Sequence, residues 1–388
     1  MFDMTPTNES NAAAPTDDDS VLLDHLRLHL VNGIGPRHSQ LLLDHFGSAE
    51  GVFAASLAQL EEVSGVGPKI ALSIAAAKLG RDAEAELAET KELGIKLLRR
   101  GSTEYPQSLE RICDPPLLLY CRGDILPQDE LAVAIVGSRR CTVYGRQQAE
   151  KFANALARAG VTVISGLARG IDAAAHQGAL TGGGRTIAVM GTGVAEIYPP
   201  EHRELAEQVA AHGAVVSEFK LHQTPHAGHF PQRNRIISGM SVAVVVIEAG
   251  RSSGALHTAR HAMEQGREVL AVPGRIDSLA SEGCHDLIRD GVTLIRHVDD
   301  ILAAIGPLTK PVSLAADSGE TVHSLRELSL NEIERQVLNL ISADPTLQDE
   351  IIARSHMEPS RVLATLTVLE MKRLIRRQPG GFFIRSPW

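Results

Sequence analysis

The chain has 388 residues, 44% of them apolar and 22% charged, with a formal net charge of −9. That composition belongs to a globular protein with a sizeable core, and the length fits two to four domains at roughly 100–200 residues each. No run of about 18 apolar residues occurs, so no membrane span is expected; nor does a basic segment followed by an apolar stretch open the chain, so no secretory signal is expected and the protein is placed in the cytoplasm. The cysteines, Cys113, Cys121, Cys141 and Cys284, fit no C-x-x-C spacing. They read as reduced thiols rather than as a metal site.

Residues 1–20 are polar, contain Pro6 and Pro15, and carry Asp3, Glu9, Asp17, Asp18 and Asp19 without a single Lys or Arg. This segment reads as a disordered tail. It holds much of the negative charge, so the remaining surface is free to be locally basic. From residue 21 to 98 the pattern is helical. Two segments resemble each other, Asn32-Gly33-Ile34-Gly35-Pro36-Arg37 and Ser64-Gly65-Val66-Gly67-Pro68-Lys69. Each lies between apolar-periodic helices, as in paired helix-hairpin-helix units. Their glycines permit tight turns, and the helix start that follows favours a phosphate. Hairpins that only turn the chain read equally well.

Residues 99–306 form the next domain. It opens with a proline-containing connection that includes Asp114-Pro115-Pro116. Apolar runs of strand length then alternate with helical patterns. The strands expected are 131–136, 161–165, 186–190, 214–218, 242–248, 268–272 and 292–295. Runs such as Val242-Ala243-Val244-Val245-Val246-Ile247 are apolar on both faces and belong inside a parallel sheet covered by helices. The alternation implies an α/β, Rossmann-like, doubly wound and mostly parallel sheet. Residues 307–326 read as a linker. Residues 327–388 carry helices at 330–341, 348–355 and 359–372. The runs 374–377 and 382–385 then flank Gly380-Gly381 as a β-hairpin, and helices plus hairpin make a winged helix.

Ligands of a parallel sheet sit beyond the C-terminal strand ends. The first strand is followed by Gly137-Ser138-Arg139-Arg140, the second by Gly166-Leu167-Ala168-Arg169-Gly170-Ile171-Asp172, the third by Gly191-Thr192-Gly193. A long loop after the fourth leads to Phe230-Pro231-Gln232-Arg233-Asn234-Arg235. The fifth is followed by Glu248-Ala249-Gly250-Arg251-Ser252-Ser253-Gly254, the sixth by Pro273-Gly274-Arg275. A lone glycine turn is more often a packing device than a site. The convergence of Arg139, Arg169, Arg233, Arg235, Arg251 and Arg275 on one rim is what implies a polyanionic ligand. Gly137, Gly166 and Gly254 would let a backbone approach. Asn234 would orient an arginine or touch a sugar, and Asp172, Glu218 and Glu248 would orient the arginines. Tyr144, Tyr198 and Phe230 are the few aromatics near the rim, so binding should rest on phosphates, with little sequence preference and a strong dependence on salt.

The motifs of common enzymes are missing. No G-x-x-x-x-G-K-[ST], G-x-G-x-x-G or H-E-x-x-H segment occurs. His176 reads as a half-buried histidine with its hydrogen bonds satisfied rather than a base. No catalytic residue, cofactor or metal is expected.

The run Ala134-Ile135-Val136-Gly137-Ser138-Arg139 with Tyr144-Gly145 resembles the DNA-processing protein A (DprA/Smf) family. So do Ser165-Gly166-Leu167-Ala168-Arg169-Gly170-Ile171-Asp172, Phe230-Pro231 with Arg233-Asn234-Arg235-Ile236-Ile237, Glu248-Ala249 with Ser253-Gly254, and Val272-Pro273-Gly274. The match is dense over about 105–300, and the helical N-terminal domain and winged helix agree with it. The chain departs from the family's usual Gly-Thr-Asn at Gly283-Cys284-His285. The resemblance implies single-stranded DNA binding, protection of incoming DNA in natural transformation, loading of the recombinase RecA, and a homodimer. DNA would be carried by Gly137, Ser138, Arg139, Arg140, Gly166, Arg169, Gly170, Arg233, Asn234, Arg235, Ser253 and Gly254. The alternative is a nucleotide-processing enzyme of the lysine-decarboxylase-like Rossmann type, whose Pro-Gly-Gly-x-Gly-Thr and acid pair are not matched by Glu248–Gly254. A further alternative has the winged helix alone bind DNA through Lys372, Arg373, Arg376 and Arg377.

Overall fold

The computed structural model describes residues 17–306, 332–341, 345–355, 357–371, 374–378 and 380–385. Contacts divide the chain into two units. One comprises Met1–Arg122, Thr192–Glu196 and Val216–Thr224; the other comprises Gly123–Gly191, Ile197–Val215 and Pro225–Trp388.

The first unit carries helices α1 (Asp17–Leu30), α2 (Pro36–Phe46), α3 (Ala49–Ala54), α4 (Leu57–Glu61), α5 (Pro68–Leu79) and α6 (Asp82–Glu92). Strand β1 (Lys96–Arg99), helix α7 (Gln107–Glu110) and strand β2 (Leu118–Gly123) follow. Residues 17–20, expected in the disordered tail, instead open α1. Residues 1–16 of that tail lie outside the described residues. The repeated hairpins have one build. Gly33 and Gly65 take φ of +91° and +85°, a region glycine enters without penalty. Gly35 and Gly67 then cap α2 and α5, each of which starts on proline. Strand β1 straddles the boundary expected at 98/99 and pairs antiparallel with β2. Leu26, Leu28, Leu42, Leu60, Ile74 and Tyr120 fill the core of this unit.

The second unit continues with β3 (Ala132–Val136), α8 (Val143–Arg158), β4 (Thr162–Ser165), α9 (Ile171–Thr181), β5 (Thr186–Val189), α10 (Arg203–His212) and β6 (Gly213–Ser217). Next come α11 (His229–Gly239), β7 (Ala243–Val246), α12 (Ala255–Glu264), β8 (Glu268–Ala271), α13 (Glu282–Arg289), β9 (Thr293–Leu294) and α14 (Val298–Ile305). Every strand expected from the apolar runs is present, and the order is β6-β5-β4-β3-β7-β8-β9. The pairs β4–β5, β3–β4, β3–β7, β7–β8 and β8–β9 are all parallel. Strands β3 and β7 are buried at every residue, because helices cover both faces of the sheet.

The last segment has helices α15 (Glu332–Asn339), α16 (Gln348–Ser355) and α17 (Pro359–Met371), with strands β10 (Thr346–Leu347), β11 (Ile375–Gln378) and β12 (Phe382–Arg385) ordered β10-β12-β11. This is the expected winged helix, with Val362, Leu366 and Leu369 of α17 in its core. The expected linker 307–326, Lys372 and Arg373 lie outside the described residues. No helix among the described residues is long and apolar enough to cross a membrane.

Candidate nucleic-acid interface

From β3 the chain winds outward through β4 and β5, then returns to place β7 on the other side of β3. The loops leaving β3 and β7 therefore part at this switch point, where open α/β sheets take their ligands. The two loops are tied together. The Ser138 N–H donates to the Glu248 carbonyl at 2.7 Å, and the Ile171 N–H donates to the Ser138 carbonyl at 3.2 Å. Glu248 was expected to orient an arginine. Instead its carboxylate accepts from the Thr142 N–H (2.7 Å) and hydroxyl (2.8 Å), while the Thr142 oxygen caps α8 through the Gly145 N–H.

Three of the glycines expected to carry DNA, Gly137, Gly166 and Gly170, are instead crowded by the protein's own atoms. A Cβ on Gly137 would lie 2.6 Å from Ile171, and one on Gly166 would lie 2.5 Å from the Arg233 guanidinium. Gly170 has φ +79°, and a Cβ there would lie 2.3 Å from the Ser138 carbonyl. Gly170→Ala is therefore expected to destabilise the fold by about 3 kcal/mol from clash and strain, read as a lower urea midpoint at unchanged slope. Of the glycines expected to carry DNA, Gly254 alone has open space where a Cβ would go.

The second correction concerns the arginines. Arg233 and Arg235, expected on the rim, are buried on α11. Arg233 is 3% exposed and donates to the Gly166 carbonyl at 2.7 Å and to the Val189 carbonyl. It thus ties the ends of β4 and β5. Burial pulls its pKa down to about 10, against the countercharge of Asp172. Burial likewise raises the Asp172 carboxyl, and Arg233 opposes that rise. Asn234 is also buried and donates to the Gly254 carbonyl at 3.2 Å, so it holds the loop before α12 rather than a sugar. Glu218 is buried and belongs to the first unit.

The side chains that face outward are fewer. Arg139 and Arg140 are exposed, and neither has an acid within ion-pair distance among the described residues. The Arg139 guanidinium stands 4.8 Å from the centre of the Phe230 ring. Phe230 fits against Gly191, where a Cβ would come within 2.8 Å of it, and its ring centre is 5.9 Å from that of Tyr198. The ring thus props a cation at the head of the crevice. Sequence reasoning placed Phe230 near the rim but missed this pairing. Arg169 pairs with Glu201 at 2.5 Å, Arg251 with Asp286 at 2.9 Å and Arg275 with Asp277 at 2.9 Å. These pairs are exposed and individually weak, so a phosphate can exchange for the acid. Ser253 and Gly254 lie at the start of α12, with the Ser253 hydroxyl accepting from the Ala255 N–H.

His176 is fully rather than half buried. Its Nδ1 meets the Thr186 hydroxyl at 2.7 Å, while Nε2 has no partner among the described residues. Burial pulls its pKa down to about 3, so the ring is neutral. The unfolded chain binds a proton at about pH 6.5 that the native chain refuses until about 3. The stability from this group is complete above pH 6.5 and falls by about 1.4 kcal/mol per pH unit as pH drops through that window. His176→Gln is expected to flatten the acid limb of a plot of stability against pH. No group of three or more His, Cys, Asp or Glu side chains among the described residues is placed to hold a metal.

Three family models match the chain: DNA recombination-mediator protein A over residues 96–306, the DprA winged helix domain over 323–381, and a SAM-like helix-hairpin-helix tandem over 26–77. Protein Smf of Synechocystis is 34% identical over 378 residues, covering 90% of this chain and 95% of that protein. The X-ray structure of DNA processing protein A from Streptococcus pneumoniae is 35% identical at a TM-score of 0.62, covering 72% of this chain and 95% of that one. A structure of DNA processing protein A from Helicobacter pylori, described for its single-stranded DNA binding mode, is 30% identical at a TM-score of 0.50. It covers 54% of this chain and 95% of that one.

Proposed function

We propose, from the premise that this chain belongs to the DNA recombination-mediator protein A (DprA/Smf) family, that it binds single-stranded DNA across the switch-point rim and is not an enzyme. The observation that carries this reading is the pair of exposed cations Arg139 and Arg140 at the end of β3, without an acid in ion-pair distance among the described residues, Arg139 being propped by Phe230. Arg169 stands beside them on the loop after β4, and Ser253 and Gly254 lie across the crevice. Phosphates are held by the arginines and by backbone N–H groups, which favours any single strand over a chosen sequence. Gly137, Gly166, Gly170, Arg233, Asn234 and Arg235 act from behind, by holding the loops that present the rim.

The family's role in natural transformation supports the further steps: the bound strand is protected and passed to RecA. A homodimer is supported by side chains near the sheet edge. Ile276 is 95% exposed and Leu279 77% exposed on the loop after β8, and Leu294 is exposed on edge strand β9. Ile276→Asp/Leu279→Asp is expected to raise the dimer dissociation constant by about tenfold or more in sedimentation equilibrium.

The test of the central reading is fluorescence anisotropy with a labelled oligothymidine and the matching duplex at two salt concentrations. Tight, salt-sensitive binding that prefers the single strand is expected. No binding, or a preference for duplex, overturns the reading.

A further inference from the structure

Helix α5 is apolar on two faces. Ala71 and Ile74 are buried in the core of the first unit, and Ile70 and Ala77 pack against it. On the other side Leu72 is 57% and Leu79 87% exposed, with Ala75 and Ala76 exposed beside them. Pro68, Leu72, Ala75, Ala76 and Leu79 recur at i, i+4, i+7, i+8 and i+11, which is one continuous stripe of a helix. Leu72 and Leu79 are one heptad apart, the spacing of a helix-pairing seam. Leu57 is also exposed, on helix α4 that packs against α5. A helix apolar all round is ordinarily covered all round.

The charges beside the stripe say what covers it. Helix α5 contains Lys69 and Lys78 and no acid. At 100° per residue the two lysines fall on opposite flanks of the stripe. Lys78 is held there by donating to the Phe53 carbonyl at 2.9 Å.

We propose that this face docks an amphipathic helix of another protein, one whose apolar seam is flanked by Asp or Glu. A second copy of this helix has no acid to set against either lysine, whereas an acid-flanked helix is complementary on both flanks. The 12 residues of α5 extend about 18 Å, so the partner segment is about two heptads long. A contact of this size is small beside the roughly 1,200 Å² of a stable complex, so it is transient.

The probe is a labelled two-heptad peptide with leucine and alanine at the seam and glutamate on the flanks, together with its twin carrying lysine on the flanks. Anisotropy with the full chain is expected to show the glutamate peptide binding at least about tenfold more tightly than its twin. Leu72→Asp and Leu79→Asp should each weaken it by about tenfold or more, and Lys69→Glu should narrow the preference between the twins. The side chains at 72 and 79 are exposed, so thermal unfolding and oligothymidine binding should be unchanged in those variants. No binding of the glutamate peptide, equal binding of both peptides, or indifference to Leu72 and Leu79 overturns the proposal. Self-association lost in Leu72→Asp would assign the face to a second copy, and oligothymidine affinity lost there would assign it to DNA; either also overturns it.

Discussion

Arg233→Ala is expected to lower the unfolding free energy by about 3–5 kcal/mol, among the largest effects of any single substitution in the chain. The cost has two parts. The Gly166 and Val189 carbonyls lose the guanidinium that donates to them in a site closed to water, and an unsatisfied buried acceptor costs about 1–3 kcal/mol. Asp172 loses its countercharge and keeps its burial. The second part titrates. Burial already raises the Asp172 carboxyl, and without Arg233 it rises further. In the variant only backbone hydrogen bonds at Ala168 and Gly166 and the charge of Arg139 are left to oppose its burial, so Asp172 takes up a proton more readily than in the wild type, and protonation relieves the cost. The gap between variant and wild type should therefore narrow as pH falls. Urea unfolding at two pH values reads this directly. A gap below about 1 kcal/mol at neutral pH would return Arg233 to the surface role that its position in the chain suggested.

Arg139→Ala is expected to leave stability unchanged and to lower single-stranded DNA affinity by about tenfold, with the slope of log affinity against log salt shallower by about 0.7. The side chain is exposed and stands over the Phe230 face, so its loss creates no cavity. What disappears is a cation fixed at the head of the crevice. Phe230→Ala should reproduce part of the affinity loss while changing the salt slope less, because the charge remains and only its support is removed. Oligothymidine titrations at several salt concentrations separate the two variants. An unchanged slope in Arg139→Ala would remove this residue from the phosphate path.

These predictions exchange the roles that Arg139 and Arg233 share in the primary sequence. Both follow strand-end loops, both stand near a glycine, and both look like rim cations. The difference arises from α11. Its first turn puts Phe230 against Gly191, and the same docking carries the position three residues on beneath the loops. There the absence of a Cβ at Gly166 leaves room for the guanidinium. Nothing local to Arg-Asn-Arg records which carbonyls are left without donors at the ends of β4 and β5. Glu248 is a similar case: its partner Thr142 is 106 residues away in the chain.

The sequence by itself determined strands β3 to β9, the parallel sheet, the paired hairpins of the first unit and the winged helix, but not the antiparallel strands β1 and β2, which fall at and within what reads as a connection. Each of these depends on short-range periodicity, on glycine and proline chemistry, and on burial of both faces of a strand. It also placed the rim, because ligands of a doubly wound sheet collect at its switch point whatever the side chains. Only the tertiary structure decided which arginines face water and which hold the frame. That choice depends on how a helix docks and on which polar groups docking leaves unsatisfied. Those are properties of residues far apart in the chain, and no local pattern of spacing carries them.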